Sequence, residues 1–235
     1  MCGRYVLTAP VAEISRVFQV KERPNLRSRY NIAPTQDIAV VRAVESGGGR
    51  ELAMLRWGLV PSWADDPSIG NRLINARTEG VADKPSFRGP FRKRRCLIPA
   101  DGFYEWQSIG GRKQPWLIRR RDHATFAFAG LWDHWYGPKH EPEKRLAEPL
   151  ETACIITTGA NAVLAPLHSR MPVILAPADW DAWLDPHAPW ELAETLLRPC
   201  PDDALEAAPV SPRVNNVRHD DPSCIAPMDV PPTLL

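Results

Sequence analysis

The sequence predicts an α+β fold in a single domain: a curled, barrel-like, mainly antiparallel β-sheet flanked by short helices. Three observations carry this reading. Runs with strand character outnumber runs with helical spacing. The two kinds do not alternate along the chain, which argues against a parallel βαβ design. The 235 residues, 44% hydrophobic and 24% charged, match a globular chain with ample core rather than a disordered or fibrous one.

The first element expected is a helix from Pro10 to Gln19. Pro10 suits a first turn, and Val11, Ile14, Val17 and Phe18 make one apolar face. Strands follow at Asp37–Val44, Glu51–Trp57, Cys96–Ile98, Gly102–Gln107, Pro115–Arg121, Thr125–Leu131 and Thr152–Thr158. Gly110-Gly111 lies between two of them and reads as a hairpin turn. The Val81–Phe91 region reads as short helix and loop. Two later helices open near prolines, at Pro177–Leu184 and Trp190–Leu197, and a β segment near Leu205–Val214 returns to the sheet. No repeat or linker divides the chain. One domain is expected over residues 1–225, with a proline-containing tail at 226–235.

Net charge is +1, yet the charge is unevenly placed. Residues 1–122 hold 22 Lys and Arg against 12 Asp and Glu, a balance of +10; residues 123–235 hold 7 against 16, a balance of −9. Such asymmetry hints at nucleic-acid or membrane contact, although two surfaces that neutralise each other would give the same count. No apolar run nears the roughly 18–20 residues of a membrane span, so no membrane contact is expected. MCGRYVLTAP lacks a basic stretch followed by an apolar one, so no secretory signal is expected. Cys2, Cys96, Cys154, Cys200 and Cys224 are odd in number and widely spaced. That pattern suits neither a disulfide framework nor a zinc site. A reduced, cytoplasmic protein without metal or cofactor is expected.

Cys2 is the most unusual feature. Removal of Met1 would leave an α-amine and a thiol on adjacent carbons. The amine, with an ordinary pKa of about 7.7–8.0, can attack an aldehyde, and the tethered thiol can then close a five-membered thiazolidine. The plainer alternative is a small residue that happens to follow methionine. Arg4 can hold a phosphate or serve as a surface charge. In Ile74-Asn75-Ala76-Arg77-Thr78-Glu79, Asn75 can orient an amine or hydroxyl and Arg77 can clamp a phosphate, or Arg77 and Glu79 can form a surface pair. In Asp101–Trp106, strand alternation puts Phe103 and Glu105 on one face and Tyr104 and Trp106 on the other. An inward Glu105 would have a raised pKa suited to proton transfer; an outward one would be an ordinary surface charge. His168 can shuttle protons or be a structural histidine, and it lies beside Arg170. Thr157 ends a strand and can contact phosphate. Arg88, Arg92, Lys93, Arg94 and Arg95 form a basic run that is a looser candidate for phosphate.

The motifs together resemble one family. MCGRY, RYNIAPTQ at Arg29–Gln36, WGLVPSWA at Trp57–Ala64, INARTE at Ile74–Glu79, DGFYEW at Asp101–Trp106, HSRMP at His168–Pro172 and VSPRVNN at Val210–Asn216 are similar to those of the SRAP (SOS response-associated peptidase-like) family. They run in order from residue 1 to about 216.

The resemblance implies a curled antiparallel sheet flanked by helices, a single-stranded DNA channel, and crosslinking to abasic sites through a thiazolidine at Cys2. It implies that Asn75 positions the amine, that Glu105 is the general acid/base, and that His168 assists proton transfer. Arg4, Arg77, Thr157 and Arg170 would contact phosphate, while Pro34 and Trp63 would be apolar elements beside the DNA. A weak abasic-site lyase activity would accompany the crosslink. The partner is then single-stranded DNA containing abasic sites, bound by a monomer that is nucleoid-associated when on DNA. The rival activity is a Cys2-dependent peptidase or autopeptidase. One departure is visible: some family members carry two adjacent tryptophans where this chain has Trp63-Ala64, so base wedging is expected to be weaker or differently placed.

Overall fold

A computed structural model describes residues 2–21, 25–44 and 48–228. Met1 and residues 229–235, most of the expected tail, lie outside the described residues. Among the described residues, thirteen strands and four α-helices form the fold. In chain order they are β1 (Tyr5–Leu7), α1 (Val11–Phe18), β2 (Arg29–Ile32), β3 (Asp37–Ala43), β4 (Arg50–Trp57), β5 (Asn75–Arg77), α2 (Arg88–Lys93), β6 (Arg95–Ala100), β7 (Gly102–Ile109) and β8 (Arg112–Arg120). They continue as β9 (Phe126–Trp135), β10 (Leu150–Gly159), β11 (Arg170–Pro172), β12 (Ile174–Leu175), α3 (Trp180–Leu184), α4 (Trp190–Thr195) and β13 (Leu205–Pro209).

The curled sheet expected from sequence closes on itself. Strands β4, β3, β6, β9 and β10 pair antiparallel in that order, and β10 returns to β4 through a parallel pairing at Thr152↔Arg56 and Ala153↔Trp57. Closure leaves a five-stranded barrel without free edges along that ring. A second, five-stranded antiparallel sheet runs β13-β8-β7-β1-β2. Tyr5 of β1 packs edge-on against both Trp57 and Phe128, at ring separations of 5.4 and 5.9 Å, and Phe103 of β7 meets Phe128 at 5.8 Å. These aromatics join the second sheet to the barrel.

Local chemistry explains the elements. Helix α1 buries Ile14 and Phe18 and ends at Gln19, a left-handed residue (φ 57°) whose amide bonds the Ser15 carbonyl. Gly110 and Gly111 both have positive φ (54° and 78°), as a two-residue hairpin between β7 and β8 requires. Gly58, at φ +131°, lies so near Gly70 that a Cβ there would sit 2.5 Å from the Gly70 carbonyl oxygen. That close approach seats the loop after β4.

Short elements β1, β2, β5, β11 and β12 were not expected from sequence. The final helices are also shorter than expected, because Pro177–Asp179 is a single 3₁₀ turn before α3. At the other end, Pro227 bridges Val210, so the first residues of the expected tail are tied to the fold.

Candidate active site

The second sheet brings the N-terminal segment to Glu105. Strand β1 pairs with β7 at Tyr5↔Phe103, and the Tyr104 amide donates to the Arg4 carbonyl at 3.0 Å. Alternation along β7 places Phe103 in the main core and Tyr104 in a separate cluster with Val6 and Leu117, so Glu105 points inward and is 3% exposed. Burial raises its pKa above the ordinary carboxylate value.

Strand β5 supplies Asn75. It pairs in parallel with β10 at Ile155↔Asn75 and Thr157↔Arg77. The Asn75 side-chain amide donates to the Cys2 carbonyl at 2.9 Å. Its Oδ1 is buried and has no hydrogen-bond partner among the described residues. The Cys2 side chain is fully buried, and burial together with the charge of Glu105 pushes the thiol pKa well up. His168 is half-buried, and its Nδ1 accepts the Arg170 amide at 2.9 Å. The neutral ring therefore carries its proton on Nε2.

A cleft of about 590 Å³ opens over this group, lined by Gly3, Arg4, Glu105, Trp106, His168 and Asn215, with Lys113 at its rim. Among the described residues Arg4 has no carboxylate partner. Its Nη1 donates to Asn31 Oδ1 at 2.8 Å and to the Val214 carbonyl at 3.0 Å, and its guanidinium lies 5.9 Å from the Trp106 ring centre. Burial lowers its pKa from the ordinary arginine value.

Arg77, Thr157 and Arg170 form an adjoining unit on β5, β10 and β11. Arg77 is exposed. Thr157 is fully buried and its hydroxyl faces the Ala76 carbonyl at 3.2 Å, so it supports Arg170 rather than presenting itself to solvent. Arg170 Nη2 donates to the Thr157 carbonyl at 2.5 Å. Glu79 pairs with Arg170 at 2.6 Å and not with Arg77, the partner considered from sequence.

Pro34 and Trp63 do not line the cleft. Pro34 is half-buried in a turn whose next residue, Thr35, has φ 72°. Trp63 is 45% exposed and borders a separate depression with Pro85, Arg88 and Arg94. Ala64, where some family members have a second tryptophan, is buried against Trp135, whose indole donates to the Ala64 carbonyl at 2.6 Å. The basic run divides. Arg95 is buried and donates to the carbonyls of Phe91, Arg92, Trp183 and Asp185; Arg94 is paired with Asp133 at 3.0 Å; Arg88, Arg92 and Lys93 stay exposed. Arg94 and Arg95 thus hold the fold.

Sequence reasoning missed Asn31, Trp106, Lys113 and Asn215. Asn31 is fully buried and its amide meets the carbonyls of Val214, Asn216 and His219 at 3.1, 3.1 and 2.8 Å. Trp106 Nε1 donates to Asn215 Oδ1 at 2.6 Å. Three of the four lie inside motifs already noted, so motif membership was their only signal; Lys113 had none beyond the basic half.

A closed five-stranded barrel joined to a second antiparallel sheet, with Cys2 buried beside Asn75 and Glu105, defines the class of fold to which this chain belongs. This chain belongs to the SOS response associated peptidase (SRAP) family, whose model matches residues 1–217. It is 38% identical over 230 residues to the abasic site processing protein YoqW of Bacillus subtilis, covering 96% of this chain and 99% of that one. It is 34% identical over 272 residues to the abasic site processing protein HMCES of Gallus gallus, covering 98% and 79%. A crystal structure of a protein from Bacteroides thetaiotaomicron shares the fold at TM-score 0.84 and 24% identity, over 97% of this chain and 100% of that one. Among the described residues no helix is long and apolar enough to cross a membrane.

Proposed function

We propose that this protein processes abasic sites in single-stranded DNA by trapping the ring-opened sugar on Cys2 after Met1 is removed. The observation that carries the reading is Asn75. Its amide holds the Cys2 backbone, while its buried Oδ1 has no partner among the described residues and suits an N–H of the α-amine. Two relatives named for abasic-site processing, matched over nearly the whole chain, support the same substrate.

The chemistry follows from the groups. An abasic sugar exchanges between a closed hemiacetal and a free aldehyde. A carboxyl whose pKa is raised by burial holds its proton closer to neutral pH than an ordinary glutamate, so Glu105 can protonate the ring oxygen as the anomeric hydroxyl loses its proton. The α-amine attacks the aldehyde carbon and water leaves, giving an imine. The Cys2 sulfur then bonds to that carbon while the thiol proton passes to nitrogen, closing the thiazolidine with one water lost overall. His168, with its hydrogen on Nε2, can hydrogen-bond the sugar ring oxygen while Glu105 delivers the proton. An imine that escapes closure can undergo β-elimination, which is the lyase side reaction. Arg4, Arg77 and Arg170 supply affinity without base readout, with Pro34 and Trp63 as apolar flanks for a monomer bound to nucleoid DNA.

The thiol environment favours aldehyde capture over proteolysis. Nucleophilic protease cysteines have lowered pKa values in electropositive surroundings, whereas burial and Glu105 raise that of Cys2. Capture needs only an amine that attacks first and a thiol that follows.

The test mixes Met1-processed protein with a single-stranded oligonucleotide bearing one abasic site and reads a denaturation-resistant adduct. A tetrahydrofuran site, which has no aldehyde, is expected to give none. Cys2→Ala is expected to give none, because an α-amine alone cannot close the ring. No adduct from correctly processed wild-type protein would refute the proposal, and Cys2-dependent turnover of a peptide would support the rival.

A further inference from the structure

Glu79 belongs to a sequence motif of the site, yet the chemistry above gives it no part. Its carboxylate reaches across from the loop after β5 to Arg170 on β11, where Nη1 donates to Glu79 Oε1 at 2.6 Å. The opposite edge of the same guanidinium is already committed. Arg170 Nη2 donates to the Thr157 carbonyl at 2.5 Å and lies 3.5 Å from the Thr157 hydroxyl. Arg170 Nε is buried and without a hydrogen-bond partner among the described residues. Nη1 is thus the guanidinium nitrogen not committed to Thr157, and Glu79 takes one of its hydrogens.

The two partners differ in freedom. The Arg170 side chain is 15% exposed and fixed by Thr157, while the Glu79 side chain is 64% exposed. Arg170 is therefore the more firmly held of the two. Neighbouring Arg77 has no ion pair among the described residues, so it does not compete for Glu79.

We infer that Glu79 is a resident anion at a phosphate position: it holds the Arg170 fork in the DNA-free protein and yields it to a backbone phosphate when a strand binds. The inference rests on the proposed DNA-binding function and adds a residue that sets affinity against it. A strand must displace Glu79 before Arg170 contributes. The released carboxylate then faces a phosphate of like charge and takes up a cation, which offsets the counterion that the phosphate gave up.

Two consequences are measurable. Exposed or half-exposed ion pairs are worth up to about 1 kcal/mol, so Glu79→Gln is expected to bind single-stranded DNA about two- to fivefold more tightly. Its log affinity is expected to fall more steeply with log salt, by up to about 0.7, since the Arg170 contact then counts in full.

The probe is a fluorescent single-stranded oligonucleotide with one tetrahydrofuran site, so that binding is read without crosslinking. Wild type, Glu79→Gln, Glu79→Ala, Arg170→Ala and the Glu79→Gln/Arg170→Ala double variant are titrated at several salt concentrations, with circular dichroism as the fold control. Tighter and more salt-sensitive binding by both Glu79 variants, lost in the double variant, supports the inference. Unchanged or weaker binding by folded Glu79 variants overturns it while leaving the proposed function standing. No binding by wild type would remove both.

Discussion

Asn31 ties the fold to the site, and its replacement by alanine is the most informative stability test. The residue is fully buried and its side-chain amide faces three carbonyls, those of Val214, Asn216 and His219. An amide nitrogen has two hydrogens, so those contacts are shared. Truncation leaves the Val214 carbonyl with its bond from Arg4 and the His219 carbonyl with the Cys224 thiol, a weak donor, and removes the side-chain donor from exposed Asn216. Each neutral hydrogen bond lost costs about 0.5–1.5 kcal/mol. Arg4 also loses the Oδ1 acceptor, and hydrogen bonds to charged groups are worth about 1.5–3 kcal/mol. Allowing for partial repair by water, the expected loss is about 2–4 kcal/mol, a large share of the roughly 5–15 kcal/mol that holds a domain together. Urea unfolding monitored by tryptophan fluorescence measures it directly. The melting temperature is expected to fall by roughly 10 °C for a chain of this size. A loss below about 1 kcal/mol with an unchanged urea slope would show that the C-terminal segment is held by other contacts, and the reasoning would fail.

Further predictions concern charge and backbone. Burial raises the Glu105 pKa in the folded chain, so the stability linked to its proton is full below the ordinary value of 4.5 and is lost as pH rises through the folded value. Glu105→Gln is therefore expected to be more stable than wild type at pH 8 and to lose that advantage at pH 4, while adduct formation slows; a stability difference that does not vary with pH would contradict this. Arg77→Ala is expected to weaken single-strand binding regardless of sequence and to reduce the salt slope by about 0.7, read by fluorescence anisotropy. Gly58→Ala meets both a positive φ and a carbonyl oxygen 2.5 Å from the new Cβ, so it is expected to destabilise by more than about 1 kcal/mol in thermal unfolding. Wild-type stability in that variant would mean that the loop after β4 shifts freely.

The long strands were legible because alternation needs length to be seen. Strands β3, β4, β7, β8, β9 and β10 run seven to ten residues and were found near their observed bounds. The unexpected strands β1, β2, β5, β11 and β12 are two to four residues long, too short to show a period of two. Several of these carry or adjoin the site: Cys2 and Arg4 precede β1, Asn75 and Arg77 are β5, and Arg170 opens β11. Their pairing is decided by long-range partners, chiefly β10, which sequence periodicity does not reveal. Motifs found the residues, and only the fold shows that Asn75 reaches Cys2 or that Glu79 chooses Arg170. Asn31 escaped notice for the same reason, since the carbonyls its amide meets lie more than 180 positions away.

The charge asymmetry resolves in the same way. Arg29, Arg42, Arg50, Arg94 and Arg119 of the basic half pair with Asp220, Glu151, Asp181, Asp133 and Glu206 of the acidic half. Much of the imbalance is therefore met inside the fold, as two mutually neutralising surfaces would have it. The guanidiniums at the site follow another rule. Arg4 is held by an amide oxygen, a carbonyl and an indole, all neutral, and among the described residues Arg77 pairs with no carboxylate. Arg170, from the acidic half, is matched by Glu79 from the basic half. What a phosphate would feel is set by which guanidiniums the fold holds with neutral partners, and an arginine fixed by amides and carbonyls keeps both its position and its charge for an incoming anion.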